Sequence, residues 1–104
     1  MDAFEESVTV SENKPEALSL EFEHVDSRNY KVVQNYMLSL IQLSQSQTVI
    51  DLSEVGFVDS VGLSTLIQCR QAFQVAGKTL SLTGIQEYVA HYLVVTGLAK
   101  ALLG

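Results

Sequence analysis

The spacing of apolar residues changes period several times along the chain. Over residues 17–23, Leu18, Leu20 and Phe22 alternate with Ser19, Glu21 and Glu23, the two-residue period of a strand with one buried face. Val8-Thr9-Val10 also has strand character. Residues 11–16, built around the only proline, Pro15, read as a turn, so the two segments are expected to form a hairpin. Asp26 or Ser27 is suited to cap a helix. Beyond them Val33, Tyr36, Met37, Leu40 and Ile41 recur at helical spacing and define one buried stripe. That pattern stops in the polar Ser44-Gln45-Ser46-Gln47.

Residues 48–52 are short, apolar and β-branched, which suits a central strand. After a loop over residues 54–58 a second helix begins near Ser60, with Leu63, Leu66, Ile67 and Phe73 on its inner face and Gly77 at its end. Residues 78–83 read as another strand, stopped by Gly84. Ile85, Tyr88, Val89, Tyr92 and Leu93 give a third helical stripe that Gly97 ends, before a short apolar tail over residues 98–103. The order β-β-α-β-α-β-α predicts an α/β fold, a mixed and mainly parallel sheet with helices packed against it.

At 104 residues the chain is long enough for one core and too short for two, so a single domain over residues 1–104 is expected. The formal net charge of -6 repels phosphate backbones and anionic lipid. The expected partner is therefore a protein, with no nucleic acid. No apolar run approaches the ~20 residues of a membrane span, and the acidic start, Met1 to Glu6, lacks the basic and apolar regions of a signal peptide. A cytoplasmic protein without membrane insertion is the expectation. The single cysteine, Cys69, has no disulfide partner and falls in a helical pattern, where a thiol acts as a small buried hydrophobe.

Candidate chemistry concentrates in Val58-Asp59-Ser60-Val61-Gly62-Leu63, where an extended segment hands over to a helix. Ser60 falls at or beside the N-cap, and a hydroxyl there can simply accept an N–H of the first turn. The same position suits a phosphate, which would meet free N–H groups and the positive end of the helix dipole. A partner surface fitted to a neutral hydroxyl would then face a charge of about -1.5 to -2, with Asp59 adding to the local negative potential.

Asp59-Ser60-Val61-Gly62-Leu63 resembles the D-S-x-G-L signature of STAS domains of the anti-sigma factor antagonist type. Residues 48–58 look like the strand and loop that lead into that motif, and residues 77–82 look like the strand that follows it. Val94-Val95-Thr96-Gly97-Leu98 resembles the family's closing (L/M)-x-(T/S)-G-L, and Glu23-His24-Val25-Asp26 stands where many members have G-E-L-D. The resemblance implies a STAS-like fold and a protein that is a substrate rather than an enzyme, with no catalytic residue, metal or cofactor of its own. Such members bind an anti-sigma factor that is a serine kinase and are released when it phosphorylates the motif serine, here Ser60. A serine phosphatase reverses the mark. The implied partner-binding residues are Asp26, Asp59, Ser60, Val61, Gly62 and Leu63. Glu23 and His24 depart from G-E-L-D, so the first loop is expected to suit a different partner, and the stretch after Leu98 is shorter than usual, so a last strand or helix is expected to be curtailed.

Other readings keep the fold and change the partner: a stress-signalling scaffold, a response-pathway switch or a subunit of a lipid-transport ATPase. A phosphopantetheine carrier protein also has a D-S-L serine, but carrier domains are all-helical and Ser60 follows a β-rich segment. A serine hydrolase is disfavoured, because Ser60 lacks the G-x-S-x-G elbow and only His24 and His91 are available for a triad. One cysteine and two distant histidines do not make a metal site.

Overall fold

The computed structural model describes residues 16–43 and 46–103. The expected strand at residues 8–10, and with it the hairpin, lies outside the described residues, as do Ser44 and Gln45. The elements in chain order are β1 (Ala17–Ser19), β2 (His24–Val25), α1 (Tyr30–Leu43), β3 (Gln47–Asp51), β4 (Phe57–Val58), α2 (Ser60–Val75), β5 (Thr79–Thr83), α3 (Glu87–Thr96) and α4 (Ala99–Leu103).

The β-branched segment is central, as its composition requires. β3 lies between β1 and β5, parallel to both, and β2 and β4 form a second, two-stranded parallel pair. Leu18 lies opposite Ile50, Ile50 opposite Leu82, and Thr48 opposite Leu80, so one sheet face carries the apolar side chains. Ile50 and Leu80 on that face join Val33 and Met37 of α1 and Leu63, Leu66 and Phe73 of α2 in one core. The other face carries Ser19, Asp51 and Thr83 in register.

The alternating segment at residues 17–23 is a strand only over its first three residues. The Leu20 N–H still donates to the Asp51 carbonyl at 3.0 Å, and the chain then leaves the sheet and pairs again as β2 with β4. β4 lies in what the sequence presents as a loop, since two residues are too few to display a period. Gly56 N–H donates to the Glu23 carbonyl at 2.9 Å and brings the two short strands together.

The first helix begins at Tyr30 rather than directly after Asp26 or Ser27. Residues 26–29 are a turn in which Asn29 N–H donates to the Asp26 carbonyl at 3.1 Å, and the helical ladder starts with Val33 N–H on the Asn29 carbonyl at 3.1 Å. Its expected stripe holds at Val33, Met37 and Leu40, whereas Tyr36 is 37% exposed at the stripe's edge. In α3 Val89 and Leu93 are buried, and Tyr88 faces outward.

Gly77 ends α2 as expected, in the left-handed region (φ 75°) that lets its own N–H reach the Gln74 carbonyl and that of Lys78 the Phe73 carbonyl. Cys69 is fully buried, and burial pushes its thiol up to about 11, so it stays a neutral hydrophobe at physiological pH. No helix among the described residues is long and apolar enough to cross a membrane.

Candidate functional site at the start of the second helix

Parallel strands send all their following loops to one end of the sheet, where α/β folds place their sites. Three loops are tied together there. Leu52 N–H donates to the Thr83 carbonyl at 2.8 Å, the Gln86 side-chain amide to the Ser53 carbonyl at 2.7 Å, and Ser27 N–H to Asp59 Oδ2 at 3.3 Å.

Asp59 sits in extended backbone at the N-cap of α2, and its Oδ1 accepts from Gly62 N–H at 2.9 Å. The cap is thus Asp59, and Ser60 is the first residue inside the helix. A carboxylate suits this position because it offers two acceptors: one holds the first turn and the other holds the 26–29 turn. Ser60 is left exposed with its hydroxyl free of structural duty. The N–H groups of Ser60 and Val61 make no hydrogen bond among the described residues, while that of Gly62 is taken by Asp59. Fewer N–H groups face a phosphate than a serine cap implies. Asp59→Ala is expected to cost about 0.5–2 kcal/mol, and Ser60→Ala to stay within about 0.5 kcal/mol, both measured by urea unfolding. Equal costs would place the cap on the wrong residue.

Gly62 and Leu63 turn inward. A Cβ on Gly62 would lie 1.7 Å from the Val25 carbonyl oxygen, so only glycine lets α2 rest on the backbone of β2. Leu63 is 2% exposed and belongs to the core. Of the motif, Asp59, Ser60 and Val61 remain accessible from outside.

Asp26 is brought to the same place but is buried. Its carboxylate accepts from Arg28 four times: from the backbone N–H at 2.9 Å, from Nη2 at 2.7 Å, and from Nε at 3.1 and 3.3 Å. His24 Nδ1 lies 3.1 Å from Asp26 Oδ1. The Arg28 side chain outweighs burial and holds the Asp26 carboxyl at about 2, against an ordinary 3.8. A folded-state value below the unfolded one contributes stability that is complete above about pH 4 and is lost as pH falls towards 2. Unfolding free energies of wild type and Asp26→Asn should therefore converge between pH 4 and 2. A constant difference would contradict the assignment.

Arg28 was not singled out by sequence reasoning, because a turn carries no period and its role depends on a buried partner, and His24 stood out as a departure from G-E-L-D. The contact between exposed Phe57 and Tyr88 is not legible in the sequence either, because Phe57 lies in a strand too short to show a period and Tyr88 falls on a helical stripe. Their rings stack with centroids 6.5 Å apart at 18°, joining β4 to the first turn of α3.

The arrangement of parallel strands and packed helices recurs in known proteins. A family model described as STAS domain matches residues 2–102. The chain belongs to the STAS domain family. The STAS domain of a SulP transporter from Vibrio cholerae superposes with a TM-score of 0.61 at 20% identity, over 95% of this chain and 81% of that one. A murine Solute Carrier 26 family member A9 anion transporter in the inward-facing state gives a TM-score of 0.69 at 16% identity, covering 79% of this chain but 14% of the transporter. A further structure of SLC26A9 gives 0.64 at 14% identity over 94% of this chain and 23% of that one. At these identities the likeness is one of fold.

Proposed function

We propose that this STAS protein is a phosphorylatable binding partner of the anti-sigma factor antagonist type, not an enzyme. Unmodified, it binds an anti-sigma factor serine kinase in the cytoplasm. Phosphorylation of Ser60 by that kinase releases it, and a serine phosphatase restores it. ATP and magnesium belong to the kinase. The observation that carries this reading is an exposed Ser60 whose neighbour Asp59 does the capping. A kinase can modify that hydroxyl without removing anything the helix needs. The experiment is incubation of the protein with extract of its own cells and ATP, followed by intact-mass analysis. One added phosphate is expected, absent from Ser60→Ala; a phosphate on another residue, or none, overturns the switch.

A second reading is favoured by the solved structures above, which come from transporters: a STAS subunit docked on a larger assembly. It leaves Ser60 unmodified in the same extract and predicts stable co-purification with the assembly.

A further inference from the structure

We propose that Arg28 is the residue that receives the phosphate of Ser60: Asp26 holds its guanidinium along the Nε–Nη2 edge, and the opposite Nη1 edge contacts the phosphate. The inference rests on Ser60 being the modified residue and concerns how the modified domain is built.

Three observations place Arg28 in this role. Arginine presents five donors in a rigid fork, and Asp26 takes only those on Nε and Nη2, at 2.7–3.3 Å. Nη1 makes no hydrogen bond among the described residues, and the side chain is 68% exposed although its carboxylate partner is 3% exposed. One edge is therefore clamped by a buried anion and the other faces solvent. Next, the Ser27 N–H bonds Asp59 Oδ2 at 3.3 Å, which fixes the turn carrying Arg28 against the residue that precedes Ser60. The Asp59 charge is felt at Arg28, consistent with that proximity. Last, most other described cations are committed elsewhere. Arg70 donates to the Ala101 carbonyl at 3.1 Å, Lys78 Nζ donates to the Ile41 carbonyl, and Lys100 lies on α4. Among the described cations Lys31, in the first turn of α1, is the one competitor.

The physical sense of the arrangement is charge balance. A phosphate beside Asp59 stacks two anions on one helix start, and only two first-turn N–H groups remain to meet them. Planar guanidinium groups bind phosphate oxygens in pairs. Because Asp26 already fixes the orientation of Arg28, little side-chain freedom is lost when the contact forms. The turn over residues 26–29 would then be tied to the phosphate as well as to Asp59.

The test uses the full chain with phosphoserine installed at position 60 during translation, so no kinase is required, and follows the phosphate by ³¹P NMR across pH. In the wild type the second ionisation of the phosphate should fall below its ordinary value of about 6. Arg28→Gln should raise it by about one unit, Arg28→Lys should recover part of the difference, and Lys31→Gln should leave it unchanged. Asp26, Asp59 and His24 are the other ionisable groups beside the site. Because Arg28→Gln leaves Asp26 as an unpaired anion, the double variant Asp26→Asn/Arg28→Gln is included and should show the same rise. Equal values in wild type and Arg28→Gln, or a rise in Lys31→Gln instead, overturn the proposal. Should Arg28→Gln not fold, the Arg28 Nε–H resonance of the wild type decides: it must shift on phosphorylation, and an unmoved resonance refutes the contact. Failure of the kinase reading would show separately, as an unmodified Ser60 in cell extract.

Discussion

Gly62→Ala is expected to destabilise the domain by about 2 kcal/mol or more, although alanine is the better helix former. Two effects oppose each other. Exchanging glycine for alanine within a helix favours folding by about 1 kcal/mol. Against that, the new Cβ would sit 1.7 Å from the Val25 carbonyl oxygen and 2.4 Å from its carbon. Those atoms are backbone, so no rotamer change relieves the overlap, and either α2 or β2 must move. Overpacking of this kind costs about 1–3 kcal/mol and at times more, and an approach of 1.7 Å to backbone puts this site at or above the top of that range, which leaves a net loss of about 2 kcal/mol or more. Movement of α2 would also stretch the Ser27 to Asp59 bond that joins the site's two loops. Gly77→Ala is the control: its φ is 75° but nothing lies within 4 Å of the added Cβ, so only the left-handed backbone cost of about 1–2 kcal/mol applies. Urea unfolding of both variants measures the difference. A Gly62→Ala protein as stable as wild type would mean that α2 does not rest on β2.

The second large effect falls on binding and leaves the fold alone. Ser60→Asp is expected to weaken association with the partner at least tenfold while shifting unfolding free energy by less than about 0.5 kcal/mol. The stability half follows from exposure: the Ser60 hydroxyl makes no structural bond, and an anion in the first turn is favoured by the helix dipole. Its neighbour Asp59 subtracts from that benefit, so the two nearly cancel. The binding half follows from charge. A new anion in a surface fitted to a hydroxyl costs several kcal/mol when like charge or desolvation meets it, and each 1.4 kcal/mol is tenfold in affinity. Calorimetric titration with the partner, beside thermal melts of the same samples, reads both halves. Loss of binding accompanied by unfolding would place Ser60 in the structure rather than in the interface.

Periodic features were legible in the sequence and non-periodic ones were not. Val33, Met37 and Leu40, or Leu63, Leu66 and Phe73, announce a helix face because burial repeats with the turn. Gly77 and Gly97 mark helix ends because few other residues accept the left-handed backbone there. β4 escaped notice because two residues carry no repeat, and Tyr88 falls on a helical stripe yet points to Phe57 and solvent. Within the site, Ser60 and Asp59 were placed together by the motif. Their division of labour was not, since aspartate and serine are equally good caps on propensity alone and only the hydrogen bond to Gly62 tells them apart. From the sequence Asp26 suits a helix cap or a recognition residue. Its bonds to Arg28 make it instead a buried anchor for an exposed cation, a role that depends on burial and so on the whole fold.

A phosphate on Ser60 is expected to separate this STAS protein from its partner without unfolding it. The most direct measurement is intact-mass and phosphosite analysis of the protein drawn from its own cells and divided into free and partner-bound fractions. One phosphate is expected, on Ser60, in folded protein of the free fraction, with unmodified Ser60 in the complex. Phosphorylated Ser60 present to the same extent in the partner-bound fraction would contradict it.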